Sequence, residues 1–457
     1  MAMSRFVVDP SWMRCDSVVF AGSPISKFTL TTRGRDVAAA IERGESVNDD
    51  ELVRRLVAAG AIHPLPEPGV RRLDQVTAVI PALIDDHPSH ERLIRLVRSL
   101  HGLSRVIVID DCSPHSPTAL PGAEVIRSAS SLGPAGARNL GLHLVTTEFV
   151  FFVDIDVEID QDAIQRLLDC FVSNDIGVVA PRVCGSDDDD VLSRFEATHS
   201  PLDMGEVEAN VRKGTRVSYV PSATWLCRTS AMTSIDGFDE SLRTGEDVDA
   251  VWRLVEQGFG VRYEPSVVVR HAARTNIRKF ITQRIGYGES AAPLATKHGD
   301  ALAPIRLSPL MLGAWLLTLF SPMLGALIFL IDAIRLTRTL ANTSEERKAF
   351  ARIAARNLTH SSHLIARAIT RVWWPIVVVL AIFSKRVRTV LGLAALVPAA
   401  VEWTRKRPPL DPFRFTALRL LDDASYGIGV WRNAFRTRQP KPLSIALSRA
   451  SRYREER

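Results

Sequence analysis

The chain has 457 residues, of which 46% are hydrophobic and 24% charged, so it is not a mostly disordered protein and is long enough for about three domains. Its five cysteines, an odd number without C-x-x-C spacing, indicate neither a disulfide framework nor a zinc site and favour a reducing, cytoplasmic environment. The net charge of +6 lies at the C-terminus, where residues 401–457 hold 13 Lys or Arg and 6 Asp or Glu; this predicts an anionic lipid or nucleic-acid partner, or a solvated tail.

Residues 1–70 predict a small winged-helix-like α+β module. Short extended runs precede apolar residues at helical spacing, and a helix is expected between an N-cap at Asn48 or Asp49 and a stop at Gly60. A proline-rich linker follows at residues 64–69. A sheet edge beside a short helix suits the capture of an extended peptide by strand addition. The alternative role is a cap that stabilises the rest of the chain.

Nucleic acid is not predicted as a partner of this module. Acidic residues nearly balance its Arg and Lys residues, and the expected helix lacks a row of side chains that could read base edges. A DNA-binding regulator is therefore the weaker alternative to an enzyme.

Residues 71–300 alternate apolar strands with helices, which predicts an α/β domain with a mostly parallel sheet covered by helices. Strands are expected at residues 76–80, 106–109, 125–127, 149–153 and 267–270, and helices at residues 91–100, 136–145 and 248–256. Ligands of such sheets bind beyond the carboxyl ends of the strands, so the residues that follow each strand form the candidate site.

Acidic pairs follow two of the predicted strands. Asp154 and Asp156 come directly after an apolar strand, where carboxylates can hold Mg²⁺ or Mn²⁺ against a phosphate, although many D-x-D sequences are ordinary surface loops. Asp110 and Asp111 follow another strand and can accept hydrogen bonds from a base or ribose, or simply form a turn.

Two helix starts carry further candidate residues. Glycines before Arg138 allow a phosphate to approach a helix N-terminus, and Arg138 could neutralise a diphosphate, but Gly-Pro is also a generic start of a helix. Glu246 and Asp247 open another helix. Their charges suit the helix dipole, and one carboxylate could instead deprotonate an acceptor hydroxyl as a general base.

Residues 301–457 predict hydrophobic helices and a basic tail associated with a membrane. Residues 308–331 include no charge and are long enough to span a bilayer, but Ser321-Pro322 interrupts them. The Arg-rich stretch after a single span would violate the positive-inside tendency, so a bent or in-plane hairpin, or two packed short helices, is expected. A second apolar zone, residues 372–400, is split by basic residues into halves too short to span comfortably. Buried helices of a soluble domain are the alternative.

An ordered series of motifs over residues 74–275 resembles the inverting, nucleotide-sugar-dependent glycosyltransferases of family 2, which have the A-type fold. The motifs are V-I-P at 79–81, V-I-D-D-C-S at 108–113, G-A-R-N-L-G at 136–141, D-I-D at 154–156, G-F-D-E at 237–240 and G-E-D at 245–247. Each motif is weak alone, whereas the series is specific. The resemblance implies a metal-dependent hexosyltransferase that uses a nucleotide-sugar donor.

The resemblance implies a role for each candidate residue at the donor. Pro81 to Ile84, together with Asp110 and Asp111, would line the nucleoside pocket. Arg138 and Asp154 would contact the diphosphate.

It also implies the residues that hold the metal and move the proton. Asp154 and Asp156 would bind Mg²⁺ or Mn²⁺, with His271 as a further ligand or else a structural histidine. Asp247 would be the general base, with the adjacent Glu246 as the alternative.

One feature departs from processive members of the family. The sequence Gln283-Arg284-Ile285-Gly286-Tyr287 lacks the Trp of their Q-x-x-R-W acceptor motif.

The whole layout resembles a narrower group, the glycosyltransferases of mycofactocin systems. The shared marks are an N-terminal G-S-P at 22–24, the catalytic motifs, R-K-F at 278–280 and a hydrophobic, then basic tail with A-S-Y-G at 424–427. The resemblance implies repeated β-linked addition of glucose from UDP-glucose to a peptide-derived redox cofactor precursor. The expected location is the cytoplasmic face of the cell membrane, because nucleotide sugars are cytosolic. The alternative acceptor is polyprenyl phosphate or a cell-envelope glycan.

Overall fold

The computed structural model describes residues 3–117, 120–186, 190–272, 276–447 and 455–456. The chain forms two compact units, each assembled from segments that are separate in sequence. The first unit comprises Met1–Trp12, Ala21–Ile25 and Arg33–Ala273, and the second comprises Met13–Phe20, Ser26–Thr32 and Arg274–Arg457. Residues 1–32 thus contribute to both units. The division predicted from the sequence, 1–70, 71–300 and 301–457, stays a prediction.

Residues 1–70 include short strands and two helices. The strands are β1 (Met3–Ser4), β2 (Phe6–Val8), β3 (Met13–Cys15), β4 (Val18–Ala21), β5 (Ser26–Thr29), β6 (Val47–Asn48) and β7 (Ile62–Pro64), and the helices are α1 (Thr32–Glu42) and α2 (Glu51–Ala58). Helix α2 begins after Asp50, whose carboxylate accepts a hydrogen bond from the Val53 amide at 3.0 Å. The N-cap predicted at Asn48 or Asp49 is therefore wrong by one or two positions, because β6 extends through Asn48.

Residues 73–272 build one large sheet with helices between its strands. The strands are β8 (Val76–Ala82), β9 (Arg105–Asp110), β10 (Glu124–Arg127), β11 (Phe149–Val153), β12 (Val157–Glu158), β13 (Ile176–Gly185), β14 (Ala209–Asn210), β15 (Thr224–Arg228) and β16 (Gly260–His271). The helices are α3 (His87–Ser99), α4 (Gly133–Leu142), α5 (Gln161–Asp169), α6 (Val191–Glu196), α7 (Thr229–Ser234) and α8 (Glu246–Glu256), and a 3-10 turn lies at Leu73–Gln75. These elements confirm the strand–helix alternation.

The sheet is mixed, so the prediction of a mostly parallel sheet is only partly correct. Its strand order is β10-β9-β8-β11-β15-β13-β16-β12, with β14 also paired to β16. Strands β10, β9, β8 and β11 are parallel neighbours, whereas β15 runs antiparallel to both β11 and β13. The physical reason is that a continuous apolar run reports burial on both faces of a strand and not its direction, so the sequence pattern does not distinguish the antiparallel β15 from its parallel neighbours.

The core of the first unit lies on the faces of this sheet. Phe149 and Phe151 of β11 are fully buried, and Phe149 packs edge-on against Phe171 at 4.8 Å between ring centroids. Helix α3 buries Leu93 and Leu96 from one face, as its 3.6-residue spacing requires. The helices therefore cover the faces of the sheet.

The second unit is mainly helical. Its helices are α9 (Ile277–Glu289), α10 (Ala291–His298), α11 (Pro309–Thr318), α12 (Pro322–Leu340), α13 (Ser344–Arg371), α14 (Trp374–Phe383), α15 (Lys385–Lys406) and α16 (Pro412–Thr437). It also holds β17 (Ile305–Leu307), β18 (Ile445–Leu447) and β19 (Glu455–Glu456), with 3-10 turns at Gly299–Leu302 and Lys441–Leu443. Strands β17 and β18 pair in parallel, and the hairpin of β3 to β5 continues into β19.

The predicted break at Ser321-Pro322 is confirmed. Helix α11 ends at Thr318, and α12 begins at Pro322. The two helices pack together through Trp315 and Phe329, whose ring centroids lie 5.1 Å apart. In the second apolar zone, α14 has only 10 residues. Helix α15 has 22 residues, carries basic residues at both ends, and is long and apolar enough to cross a membrane. Helices α13 and α14 pass the same test only as a pair bent by 86°.

Candidate active site

A buried arginine joins two acidic residues beyond the end of β11. Arg138 on α4 contacts Asp154 Oδ1 through Nη2 at 2.7 Å and Glu246 Oε1 through Nη1 at 3.0 Å. Its guanidinium also lies 5.5 Å from the centre of the Phe238 ring. Arg138 is only 2% exposed, and both of its Nη atoms are engaged. These two pairs do not use all five guanidinium donors, and Arg138 Nε has no hydrogen-bond partner among the residues that the structure describes.

Close packing of α4 on the sheet positions this arginine. A Cβ atom added to Gly141 would lie 2.2 Å from Val79 Cγ1 of β8, so only glycine lets the helix approach the strand. The opposite side of α4 is held by Asn139, whose Nδ2 donates to Phe238 O at 2.8 Å and whose Oδ1 accepts from the Phe238 amide at 2.8 Å. This role of Asn139 is not predicted from the sequence, although the residue lies in the G-A-R-N-L-G motif.

Asp247 stands in the first turn of α8 and is partly exposed. Gly245, with φ of 83°, turns the chain into the helix, and Glu246 and Asp247 follow in its first turn. Asp247 accepts hydrogen bonds from the Val248 amide at 2.8 Å and the Ser222 amide at 3.4 Å. Burial and the neighbouring Glu246 charge raise the pKa of Asp247 to about 7. This value suits a group that accepts a proton near neutral pH.

Asp156 and His271 are brought together by the edge of the sheet. Strand β12 pairs with β16 in a register that places Val157 opposite His271. As a result, His271 Nε2 lies 3.2 Å from Asp156 Oδ1, and the Ala272 amide donates to Asp156 O at 2.8 Å. Both side chains are partly exposed. The sequence reasoning grouped these two residues only through the family resemblance, because they are distant along the chain.

The predicted metal residues have suitable donor atoms but are not clustered as a complete site. Within the part of the chain that the structure describes, no group of three His, Cys, Asp or Glu side chains is arranged to hold a metal ion. Asp154 is turned toward Arg138, and burial raises its pKa. Carboxylate oxygens with one imidazole nitrogen nevertheless form a donor set that accepts Mn²⁺ or Mg²⁺. Metal binding by Asp154, Asp156 and His271 stays a prediction.

Asp110 and Asp111 are occupied by protein donors. Asp110 is fully buried and accepts hydrogen bonds from the Ser113 amide at 2.9 Å and from Arg127 Nη1 at 2.8 Å. Asp111 accepts from the Leu132 and Gly133 amides and so holds the loop that leads into α4. Their predicted contact with a base or ribose is not tested by these hydrogen bonds.

Residues 81–84 lie beside these two aspartates. The Ile84 amide donates to Ser113 Oγ at 2.8 Å, and the Asp111 amide donates to Ala82 O at 2.8 Å. The Ile84 side chain is fully buried in the core, whereas Leu83 is 55% exposed. Of the predicted pair Pro81 and Ile84, only Pro81 therefore reaches the surface, and Leu83 is the neighbour with a side chain available to a ligand.

The segment before Asp247 is anchored to the N-terminal residues of the same unit. Arg216 forks onto the buried Asp9 carboxylate with Nη–Oδ distances of 3.1 and 3.0 Å, and its amide donates to Ser23 Oγ at 2.7 Å. His63 Nε2 lies 3.1 Å from the same carboxylate. The loop that carries Ser222 is thus fixed at its start by residues 9–63, a link that the sequence pattern does not reveal.

The Gln283-Arg284 sequence lies in the second unit. Arg284 is buried and contacts Asp422 of α16 through Nε at 3.0 Å, and Gln283 Oε1 accepts from Arg284 Nη1 at 2.8 Å. Both side chains therefore take part in packing α9 against α16. Tyr287 stands where the processive motif has Trp. The centre of its ring lies 5.7 Å from the Arg284 guanidinium.

The chain is similar to known proteins over nearly its whole length. It is 38% identical over 443 residues to the pre-mycofactocin glycosyltransferase of Mycobacterium tuberculosis, covering 92% of this chain and 93% of that protein. Residues 77–234 match the model of glycosyl transferase family 2. The poly-beta-1,6-N-acetyl-D-glucosamine synthase of Staphylococcus aureus is 20% identical over 215 residues, which covers 45% of this chain and 52% of that enzyme.

Two solved structures resemble the chain more distantly. The mannosyltransferase PcManGT from Pyrobaculum calidifontis, solved in complex with GDP-Man and Mn²⁺, is 16% identical with a TM-score of 0.44, covering 81% of this chain and 89% of that one. TarS 1-349 of S. aureus is 16% identical with a TM-score of 0.38, covering 80% and 92%.

Proposed function

Because the chain belongs to the pre-mycofactocin glycosyltransferases, within glycosyl transferase family 2, we propose that it transfers glucose from UDP-glucose to the peptide-derived precursor of a mycofactocin-type redox cofactor. Membership confirms the predicted family and the predicted α/β fold of A-type glycosyltransferases with a hydrophobic helical region. The observation that carries the proposed chemistry is the cluster of Asp154, Glu246 and Asp247 around Arg138 at the end of β11.

Asp247 is the proposed general base. Its pKa of about 7 and its partial exposure let it take the proton of an acceptor hydroxyl. The hydroxyl oxygen then bonds to C1 of the donor sugar as the bond from C1 to the diphosphate oxygen breaks, so UDP leaves with that electron pair. One displacement converts an α-linked donor into a β-linked product, and repeated additions extend it. Glu246, paired with Arg138, is held away from this role.

Asp154, Asp156 and His271 are the residues proposed to hold Mg²⁺ or Mn²⁺. When bound, the ion supplies positive charge at the departing diphosphate. Arg138 fixes the orientation of Asp154 through its 2.7 Å contact and keeps positive charge beside the carboxylates. Asp110, Asp111 and the surface at Pro81 remain the proposed nucleoside contacts.

The N-terminal residues are proposed to recognise the acceptor. One edge of the β3–β5 sheet already accepts a parallel strand from the same chain, since Glu455 pairs with Lys27. The opposite edge strand of this sheet is β3, and it is the proposed edge for strand addition of an extended segment. The Asp9–Arg216 contact links residues 1–12 with the loop that carries Ser222, whose amide donates to Asp247. If the N-terminal residues only stabilise the rest of the chain as a cap, changing their contacts should not affect acceptor binding.

A point variant tests this role better than a truncation, because residues 1–32 contribute to both units. Arg216→Gln removes the fork on Asp9, and Lys213→Gln, on the same loop, serves as the control. We expect Arg216→Gln to raise the KM for the acceptor several-fold, on the order of 1 kcal/mol, with a smaller change in kcat. An unchanged acceptor KM in a folded Arg216→Gln protein would favour the cap.

The proposed location is the cytoplasmic face of the cell membrane. Large apolar side chains of the second unit are exposed, including Phe320, Met323, Ile382, Phe383 and Phe413. Exposed basic residues 405–407 follow Trp403 at the end of α15, which is the arrangement expected at an anionic headgroup layer.

The exposed apolar helices also support a second candidate, transfer to polyprenyl phosphate or a cell-envelope glycan. Radiolabelled UDP-glucose offered with each acceptor in turn separates the two. We expect label on the peptide-derived acceptor and none on the lipid. Metabolite mass spectrometry of cells with and without the protein provides the second check, through hexose-sized mass differences on a small peptide product. Label on the lipid alone would replace the first proposal by the second.

A further inference from the structure

A cavity of about 210 Å³ that is partly open to solvent lies in the helical second unit. It is bounded by the last two turns of α13, the middle of α16, the start of α10 and the 3-10 turns near Pro304 and Pro442. Its apolar lining includes Leu364, Val372 and Val430. The cavity is far along the chain from the candidate active-site residues, and none of those residues lines it.

The charged side chains that line this cavity are two arginines. Arg367 and Arg371 contribute to it from successive turns of one helix face, Tyr426 lines it from α16, and none of its described lining residues is Asp or Glu. Arg371 is held in place, because its guanidinium lies 3.8 Å from the centre of the Tyr426 ring. It also pairs with the carboxylates of Asp423 at 3.1 Å and Asp422 at 3.5 Å, which lie behind the cavity lining. Asp423 also accepts a hydrogen bond from Thr370 Oγ1 at 2.7 Å. One wall of the cavity is therefore fixed before any ligand binds.

The size and lining indicate the class of ligand. A volume of about 210 Å³ corresponds to roughly seven water molecules, enough for one compact anion and a few carbon atoms. Guanidinium groups pair with phosphate oxygens through parallel hydrogen bonds, and apolar residues beside them suit the carbon part of an ester. We propose that this cavity binds a phosphate monoester, with Arg367 and Arg371 as its cationic contacts.

The neighbouring helix indicates where such an ester comes from. Helix α14 begins three positions after Arg371 and exposes Ile376, Val379 and Phe383. An arginine pair directly before an exposed apolar helix suits the phosphate of a lipid. A soluble phosphate ester offers the same phosphate group, so the test uses one probe for each source. The inference does not rest on the proposed glucosyl transfer, since it concerns binding in a different unit.

The test measures binding to the full-length protein with two probes. Glycerol 3-phosphate, followed by calorimetry in neutral detergent, represents the soluble source. Phosphatidic acid in phosphatidylcholine vesicles, compared with phosphatidylcholine alone, represents the lipid source. Arg367→Gln is the test variant, because Arg367 is exposed and its loss should leave the fold intact. Arg356→Gln is the matched control, an exposed arginine on the same helix that does not line the cavity.

We expect Arg367→Gln to weaken binding of at least one probe about tenfold or more, and Arg356→Gln to leave it within about twofold. A loss confined to phosphatidic acid assigns the site to a lipid, and a loss confined to glycerol 3-phosphate assigns it to a soluble ester. Equal binding by wild type and Arg367→Gln, an equal loss in Arg356→Gln, or equal competition by acetate would each overturn the phosphate site. Because no readout depends on sugar transfer, failure here leaves the proposed function standing, and the reverse also holds.

Discussion

At the scale of single residues, two adjacent carboxylates have different surroundings. Glu246 is buried and paired with Arg138 at 3.0 Å, whereas Asp247 has no such partner within the described contacts and accepts only backbone hydrogen bonds. Burial and the neighbouring charge of Glu246 raise the pKa of Asp247. This difference explains how neighbours in sequence can serve separate purposes, one as a structural anchor and one as a base.

The first prediction concerns the base. Asp247→Asn keeps the shape of the side chain and removes its basicity, so we expect kcat to fall on the order of 10²–10⁴-fold with an unchanged unfolding temperature. Glu246→Gln is the comparison variant in the same transfer assay. If Asp247→Asn retains a near-normal kcat and Glu246→Gln does not, the catalytic role belongs to Glu246.

The second prediction concerns pH. Asp247 must be deprotonated to act, so kcat/KM should rise as pH increases through about 7. The negative charge of Glu246 raises this pKa, and therefore Glu246→Gln should shift the rising limb of the profile to lower pH. The measurement is the pH dependence of kcat/KM for both proteins. A shift to higher pH would show that Glu246 does not act on Asp247 through its charge.

The third prediction concerns the metal. Asp156→Ala removes one proposed ligand at the edge of the sheet, where the side chain is partly exposed, so transfer should be abolished and the fold retained. Chelation of divalent ions should abolish transfer by the wild type, and added Mn²⁺ or Mg²⁺ should restore it. Normal turnover in EDTA would contradict the role of the metal.

At the scale of elements, helices α9 and α16 touch through their backbones. A Cβ atom on Gly288 would lie 2.0 Å from Tyr426 O, and one on Gly429 would lie 2.0 Å from Ile285 O. The close approach places Arg284 of α9 beside Asp422 of α16, a buried ion pair that would be costly without a partner. The glycines and the ion pair therefore depend on each other.

The fourth prediction uses this close contact. Gly288→Ala should lower the free energy of unfolding of the full-length protein by about 1–3 kcal/mol, because the added methyl meets backbone that cannot move aside. Gly286→Ala, two positions earlier in the same helix with nothing within 4 Å, should be neutral or stabilising by up to about 1 kcal/mol. Thermal unfolding in detergent compares the two. Equal stability of both variants would mean that the helices are not in backbone contact.

At the scale of the whole molecule, the N-terminal residues and the helical unit are not separate additions to a catalytic domain. The β3–β5 hairpin belongs to the helical unit, where Phe20 packs against Phe350 of α13 at 6.3 Å and Lys27 lies 3.8 Å from Glu346. Residues 1–12 and 33–70 belong to the unit that holds the candidate active site. One short stretch of chain therefore contributes to the packing of both units.

The fifth prediction concerns membrane binding. Replacing basic residues 405–407 with Gln should weaken association with anionic vesicles by about 1 kcal/mol per charge, and high salt should weaken the wild type similarly. The control replaces three exposed arginines of the first unit, Arg54, Arg95 and Arg98. Sedimentation with vesicles of anionic and neutral lipid measures both. Recovery of the wild type wholly in the soluble fraction at low salt, without detergent, would contradict the proposed location.

The local elements and the family follow from the order of the amino acids alone. Apolar runs such as residues 149–153 predicted strands that the structure confirms, because burial on both faces demands continuous hydrophobicity. The break at Ser321-Pro322 was equally local, since proline lacks the amide that a helix interior needs. The ordered motifs identified the glycosyltransferase family, which the long alignment confirms.

Which of these elements meet depends on how the whole chain packs. The antiparallel insertion of β15, the burial of Arg138 between Asp154 and Glu246, and the pairing of Asp156 with His271 depend on strand register and helix packing. These contacts join residues that are far apart along the chain, and no local spacing specifies them. The sharing of residues 1–32 between two units has the same origin. Side-chain periodicity reports which face of an element is buried, whereas the partner it is buried against is selected by the packing of the whole chain.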